Sequence, residues 1–496
     1  MKYATPESVG ISSEKILQYI DVLEKSNLNN HDLIIAKGDT IIFEKYWAPF
    51  HKDFYHRMYS VSKSFVSLAV GFAEQDGLLN LDDPISKYFP KEMENQTDEN
   101  MRSQTIRHML MMSTAKTPTS WFAAKTDERY KDDRVKFYFS NSNPQSRPSG
   151  TIFQYDSTGS FVLGALVERL TGKRFMEYLR EKMFRKIGVS EDARCMTCPG
   201  GHSWGDSAVL CTPLDLLKVA RFVLNKGKWN GEQILNEKYC IDASSLQIQN
   251  NHKGNITLSR HGYGYLIWRT RNNSFFFFGM GSQFAVCSPD SDMIMVYNGD
   301  NQGIEETSND IIFDNYFDLI ESTAQDAPLP ENEAAYQALS ERTANLKLSV
   351  ANGQFFSPTA ETVSGVCYAM NDNPMGITEL QLDFDGSKGI LKYTNEQGYK
   401  ELSFGLGHNE FGDFPEEGYS DEIGSVAVPG HKYHCAASAA WIEESKLRIK
   451  VQIIDKYFGI LDIIIGFRDD VLGLYMDKTA EDFLWNYVGF AGGKRK

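Results

Sequence analysis

Ser60 and Lys63 stand three residues apart in Tyr59-Ser60-Val61-Ser62-Lys63-Ser64-Phe65, at the head of the apolar run Phe-Val-Ser-Leu-Ala-Val-Gly-Phe-Ala that ends at Ala73. A serine hydroxyl is a poor nucleophile at neutral pH and needs a neighbour to take its proton. Residues three apart share one face of a helix, so the Lys63 amine can reach Ser60 Oγ within the first turn. Free backbone N–H groups and the helix dipole favour a developing anion there. The run is too apolar for an exposed face, and Gly77 ends it as a helix C-cap would, so the helix is expected to be central and buried. Taken alone, S-x-x-K also describes a serine that merely caps a helix.

Two later stretches make a constellation of it: Phe153-Gln154-Tyr155-Asp156-Ser157-Thr158-Gly159, and Phe277-Phe278-Gly279-Met280-Gly281-Ser282-Gln283 between two strand-like runs. In this order the sequence resembles the class C β-lactamase-like serine hydrolases, which include penicillin-binding proteins, D-aminopeptidases, serine esterases and 6-aminohexanoate-oligomer hydrolases. Their series is S-x-x-K, then Y-x-N or Y-x-S, then a small-residue strand motif ending in Gly. Here the first two are intact as Ser60/Lys63 and Tyr155/Ser157.

The resemblance implies an acyl-enzyme on Ser60, with Tyr155 as acid/base group and Ser157 relaying the proton or holding Lys63. Either Lys63 takes the serine proton itself, or its charge favours a Tyr155 phenolate that does. Phe277-Phe278-Gly279 occupies the family's K-T-G or H-x-G position, so the backbone N–H groups of Ser60 and Met280 are the implied oxyanion hole. The side chains depart from the pattern: two phenyl rings offer no cation or hydroxyl to a substrate carboxylate. Strand alternation directs Phe277 towards the site and Phe278 into the core, while Gly279, Gly281 and Ser282 let a substrate backbone approach closely.

The elements that must position these groups follow along the chain. Leu33–Ala36 and Thr40–Phe43 flank Lys37-Gly38-Asp39 as a hairpin. Arg107–Ser113 reads as a helix. From Thr114 to Gly150 the chain turns polar yet carries Trp121, Phe122, Tyr130, Phe137, Tyr138 and Phe139, read as a lid whose aromatics, Trp121 first, wall the substrate pocket. Thr212-Pro213-Leu214-Asp215 opens a capped helix. Gly264–Arg269, Gln283–Cys287 and Asp292–Tyr297 read as antiparallel strands, and Gly303–Ala324 as an amphipathic helix.

A boundary is expected at Gln325–Asn332, where prolines and acids replace the helical pattern. Residues 1–325 then form the β-lactamase-like domain, 326–332 a linker and 333–496 a second domain. After a short helix at Ala334–Leu346 the second domain shows period-two segments: Leu380/Leu382/Phe384, Leu391/Tyr393, Leu447/Ile449/Val451/Ile453, Leu461/Ile463/Ile465 and Leu472/Leu474/Met476. These imply an antiparallel barrel, lipocalin-like as in some family members, and Thr479–Tyr487 reads as a closing helix. The fold class is therefore α+β.

A length of 496 residues exceeds one ordinary core, and 42% hydrophobic with 24% charged residues describes a globular protein. A net charge of −15 repels phosphate backbones, which excludes nucleic acid as a partner class. The first ten residues lack a basic segment followed by an apolar stretch, and no run approaches about eighteen apolar residues. A cytoplasmic protein without a membrane partner is expected. Seven scattered cysteines fit a reducing compartment. Cys195-Met-Thr-Cys198, with His202 nearby, lacks the second pair a zinc site needs, so structural thiols, with neither metal nor cofactor, are the reading. The leading function is hydrolysis of a small ester or amide. A β-lactamase or D-peptidase is disfavoured by Phe277-Phe278 and the missing export signal, and a ligand-binding protein without turnover by the intact Ser60, Lys63 and Tyr155.

Overall fold

In a computed structural model, all residues except 117–127, 141–145, 252–259 and 482 are described. The chain forms two compact units, Met1–Lys347 with Glu422–Gly424, and Leu348–Asp421 with Ser425–Lys496. The first unit extends past the proline-rich stretch expected to end it. The helix Glu333–Arg342 belongs to it, and Leu339 and Leu346 sit in its hydrophobic core.

A seven-stranded mixed sheet organises the first unit. The hairpin Asn30–Lys37 and Thr40–Tyr46 pairs through Met293–Gly299 with Gln283–Ser288 and then Phe275–Gly279. These strands are buried on both faces and accordingly read as near-continuous apolar runs. One face packs Phe276, Phe284, Val286 and Met295 against Ile16, Tyr19, Ile20 and Leu23 of the helix Ser13–Lys25, and against Ile312 and Phe313 of the helix Glu305–Asn315. The helix Pro213–Leu224 packs on the opposite face, where Cys287 reaches the Ala220 carbonyl. Its capping box of Thr212 and Asp215 forms as expected.

The helix that follows Ser60, Ser62–Gln75, is buried from Ser62 through Ala73. Each of Phe65, Val66, Leu68, Val70 and Phe72 contributes about 1.5–3 kcal/mol on burial. Its packing leaves no room at Gly71, where a methyl group would come within 2.4 Å of the Tyr239 ring.

Two expected elements differ. Of Gly264–Arg269, Trp268–Arg269 alone is strand, because Leu266 takes φ +55° and donates its N–H to the Leu110 carbonyl. The amphipathic segment 303–324 is helical over Glu305–Asn315 and continues as a wider π turn over Tyr316–Ile320. No helix among the described residues is long and apolar enough to cross a membrane.

The second unit is built on a ten-stranded sheet, largely antiparallel, whose long strand Ala427–Glu443 also pairs in parallel with Gly398–Leu406, closing the sheet into a barrel. The period-two residues point inward: Leu447, Ile449, Val451, Ile453, Leu461, Ile463, Ile465, Leu472, Leu474 and Met476 are buried. The described residues of 479–487 do not form the expected helix. The strand Val471–Ala480 runs through Thr479, paired to Phe458–Arg468, and turns follow.

Candidate active site

Ser60 lies in a single 3-10 turn, Tyr59–Val61, that leads directly into the helix Ser62–Gln75. The turn is fastened from below. His56–Arg57 pairs with Val209–Cys211, the Met58 N–H donates to the Val209 carbonyl at 2.9 Å, and the Val209 N–H donates to Ser62 Oγ at 2.9 Å. Tyr59 holds φ +44°, a left-handed conformation that costs a bulky residue about 1–3 kcal/mol. Its ring is buried under the Arg57 guanidinium, 4.4 Å from the ring centroid, and Arg57 also lies 4.8 Å from the Trp204 ring. The strained residue thus precedes Ser60, which stays half-buried.

Lys63 is 2% exposed and donates two hydrogen bonds, to Ser60 Oγ at 2.8 Å and to the Asp206 carbonyl at 2.6 Å. Its ammonium lies 5.1 Å from the centroid of the Tyr155 ring. Tyr155 sits on extended chain anchored by the Gln154 N–H to the Met112 carbonyl at 2.7 Å, just before the helix Ser157–Thr171. Asp156 caps that helix through Gly159 N–H at 2.8 Å, and burial raises its carboxyl above the usual range. Ser60, Lys63 and Tyr155, scattered over 96 residues of sequence, therefore meet. Ser157 opens the helix, half-buried, and no hydrogen bond joins it to Lys63 among the described residues.

The strand Phe275–Gly279 passes beside the Ser60 turn so closely that a methyl on Gly279 would come within 2.4 Å of the Met58 carbonyl. Met280 follows this contact and is half-buried. The remaining calls on this stretch need correction. Phe277 is 0% exposed, so it packs within the protein and walls no open pocket. Phe278 is the half-buried ring. It packs against the core as expected, stacked on Phe284 at 5.4 Å, yet also meets Trp268 at 6.2 Å. Gly281 and Ser282 form the hairpin turn with φ +79° and +73°, and Ser282 Oγ is buried against Asn309 at 2.9 Å. Both are turn residues, closed to a substrate.

Trp268 was not singled out by sequence. Its indole stacks on Tyr155, with centroids 5.8 Å apart and planes 20° from parallel, and meets Phe153 and Tyr263 at 5.8 and 4.9 Å. The expected aromatic lid lies only partly within the described residues. Trp121 and Phe122 lie outside the described residues, whereas Phe137, Tyr138 and Phe139 are buried on the helix Arg134–Phe139, with Phe139 against Phe89 at 5.1 Å. Burial pushes the Cys198 thiol up to about 11, which keeps it a thiol at neutral pH.

A fold of strands and helices around an S-x-x-K turn defines a class, and the chain belongs to the β-lactamase family, whose model matches residues 32–309. The family is one of serine hydrolases. Among relatives, the 6-aminohexanoate-dimer hydrolase of Paenarthrobacter ureafaciens is 25% identical over 212 residues, covering 41% of this chain and 54% of that protein. A β-lactamase of Yersinia enterocolitica is 25% identical over 150 residues, 29% of this chain and 36% of that one. The chain thus spans about half or less of the length of these two relatives. A solved Bacillus anthracis structure described as a 6-aminohexanoate-dimer hydrolase aligns with a TM-score of 0.52 at 18% identity, covering 64% of this chain and 85% of the other, a likeness of fold.

Proposed function

We propose that the protein is a serine hydrolase that forms an acyl-enzyme on Ser60 and hydrolyses a small ester or linear amide. The observation that carries this reading is the 2.8 Å contact of Lys63 Nζ with Ser60 Oγ inside one turn. Ser60 Oγ attacks the substrate carbonyl carbon while its proton passes to the Lys63–Tyr155 pair. The backbone N–H groups of Ser60 and Met280 receive the oxyanion. The leaving group departs with that proton, and water, deprotonated by the same pair, releases the acid.

Substrate class follows from the walls. The residues ahead of Gly279 are phenylalanines, and half-buried Trp268 stacks on Tyr155 and in turn meets half-buried Phe278. None can make a charge-assisted bond to a carboxylate, so a neutral substrate with an apolar acyl group is favoured over a β-lactam or a D-peptide. The relatives named 6-aminohexanoate-dimer hydrolase support keeping linear amides beside esters. A panel of p-nitrophenyl esters, aminoacyl amides and nitrocefin tests this: turnover of neutral esters or amides above nitrocefin is expected, and a preference for nitrocefin overturns it.

A further inference from the structure

Asp206 is bound at both ends. Its carbonyl accepts from Lys63 Nζ at 2.6 Å, and its carboxylate takes the two ends of the Arg134 fork at 2.9 and 3.1 Å. The Arg134 and Asp206 side chains are 2% and 5% exposed. Arg134 arrives from 72 residues earlier, on the short helix that follows Asp133, and its guanidinium lies 4.1 Å from the Phe161 ring centroid. Beside it, the Asp132 carbonyl presses on Gly200, where a methyl would come within 1.8 Å. On its other side the loop is held by Glu168, which accepts from the Ser203 N–H at 3.3 Å and lies 2.9 Å from His202 Nδ1 and 3.6 Å from Arg174.

A buried ion pair contributes little net stability compared with an apolar pair of the same volume, but removing one partner is costly. Its distinctive capacity is geometric, since the planar guanidinium fixes a carboxylate in two dimensions. Here that carboxylate belongs to the residue whose carbonyl orients the catalytic amine.

We infer that Arg134 is a positioning residue: by clamping Asp206 it aims the Asp206 carbonyl at Lys63 and cancels the negative charge beside the proton acceptor. The inference rests on the Ser60–Lys63 reading above. Among the described residues, the other titratable groups around this pair are Tyr155 over Lys63, and Cys195, Cys198 and Asp156 around Asp206, with Arg57 bonded to the adjacent Ser207 carbonyl at 3.1 Å. An uncancelled Asp206 charge disfavours both a neutral Lys63 and a Tyr155 phenolate, so the sign of the effect is the same whichever takes the proton.

The test is the rate of acylation of the full chain by a fluorescent fluorophosphonate as a function of pH. Arg134→Met is expected to move the acidic limb up by about one pH unit, with a roughly tenfold loss below it, and Asp206→Asn to move it down. The neutral pair Arg134→Gln/Asp206→Asn returns the limb to its wild-type place, and Arg134→Lys, which keeps the charge but loses the fork, slows acylation without moving it. A merely structural pair would lower all rates in parallel and leave the limb fixed, which overturns the inference, as does wild-type behaviour of Arg134→Met. Should Arg134→Met not fold, the contrast between Asp206→Asn and Arg134→Lys decides on the same criterion. A wild-type protein that fails to label overturns the hydrolase reading, whereas a labelled wild type with an unmoved limb in the variants overturns the positioning role alone.

Discussion

The Trp268 indole stacks on the Tyr155 ring with centroids 5.8 Å apart and planes 20° from parallel, and the Lys63 Nζ lies 5.1 Å from the centroid of the same ring. Tyr155 thus has both an aromatic and a cationic neighbour, and under the proposed function Trp268 would link it to the apolar acyl-binding wall. Trp268→Ala should lower kcat/KM about tenfold for an aromatic-acyl ester, the worth of one aromatic pair near 1.4 kcal/mol, and less for an acetyl ester. Equal losses on both esters would place Trp268 outside the acyl-binding wall.

Phe277 and Phe278 should separate stability from selectivity. Phe277, with no exposure, is expected to cost about 3–5 kcal/mol of stability on change to Ala, read by urea denaturation. Phe278→Lys puts a cation on the half-buried ring position beside Trp268, and should raise the ratio of nitrocefin to neutral-ester turnover. An unchanged ratio in a folded variant would show that this ring does not face the substrate.

Lys63 and Tyr155 are expected to act as one unit. Lys63→Ala, Tyr155→Phe and the double variant should each lose on the order of 10³-fold in acylation rate, since groups that share one proton transfer are non-additive. Losses that multiply in the double variant would assign them independent roles.

A buried histidine pair beneath the nucleophile turn sets an acid limit on stability. His56 Nδ1 donates to the Arg57 carbonyl at 2.9 Å, so its Nε2 accepts from His31 Nδ1 at 2.8 Å, and both rings are neutral. Burial lowers His31 well below the ordinary value, and lowers His56 to about 3. Below about pH 6.5, and for His56 down to about pH 3, the unfolded chain binds protons the folded one refuses, so stability present at neutral pH is lost as pH falls, at up to about 1.4 kcal/mol per pH unit per histidine. Urea unfolding across this window should be flatter for His56→Gln than for the wild type. Parallel curves would contradict the neutral pair.

What the sequence made legible was local. Ser60 and Lys63 are one turn apart, the Thr212–Asp215 cap is read from four adjacent residues, and the barrel residues repeat every second position, so each carries its geometry in its spacing. The Arg134–Asp206 clamp was invisible, because an arginine in a charged stretch looks solvent-bound until 72 residues of separation are closed by folding. The loop at Leu266 escaped for the same reason, its backbone turned by a bond to Leu110 in a distant segment. Phe277 and Phe278 were correctly alternated along the strand, but alternation gives the face and says nothing of whether that face is open.

The central claim is a covalent bond at one oxygen. Wild-type protein treated with a fluorophosphonate, digested and mapped by tandem mass spectrometry, should carry the phosphonyl group on the peptide containing Ser60, at Ser60 Oγ. The folded Ser60→Ala protein should carry none. An adduct on another residue, or undiminished labelling of Ser60→Ala, would contradict the account.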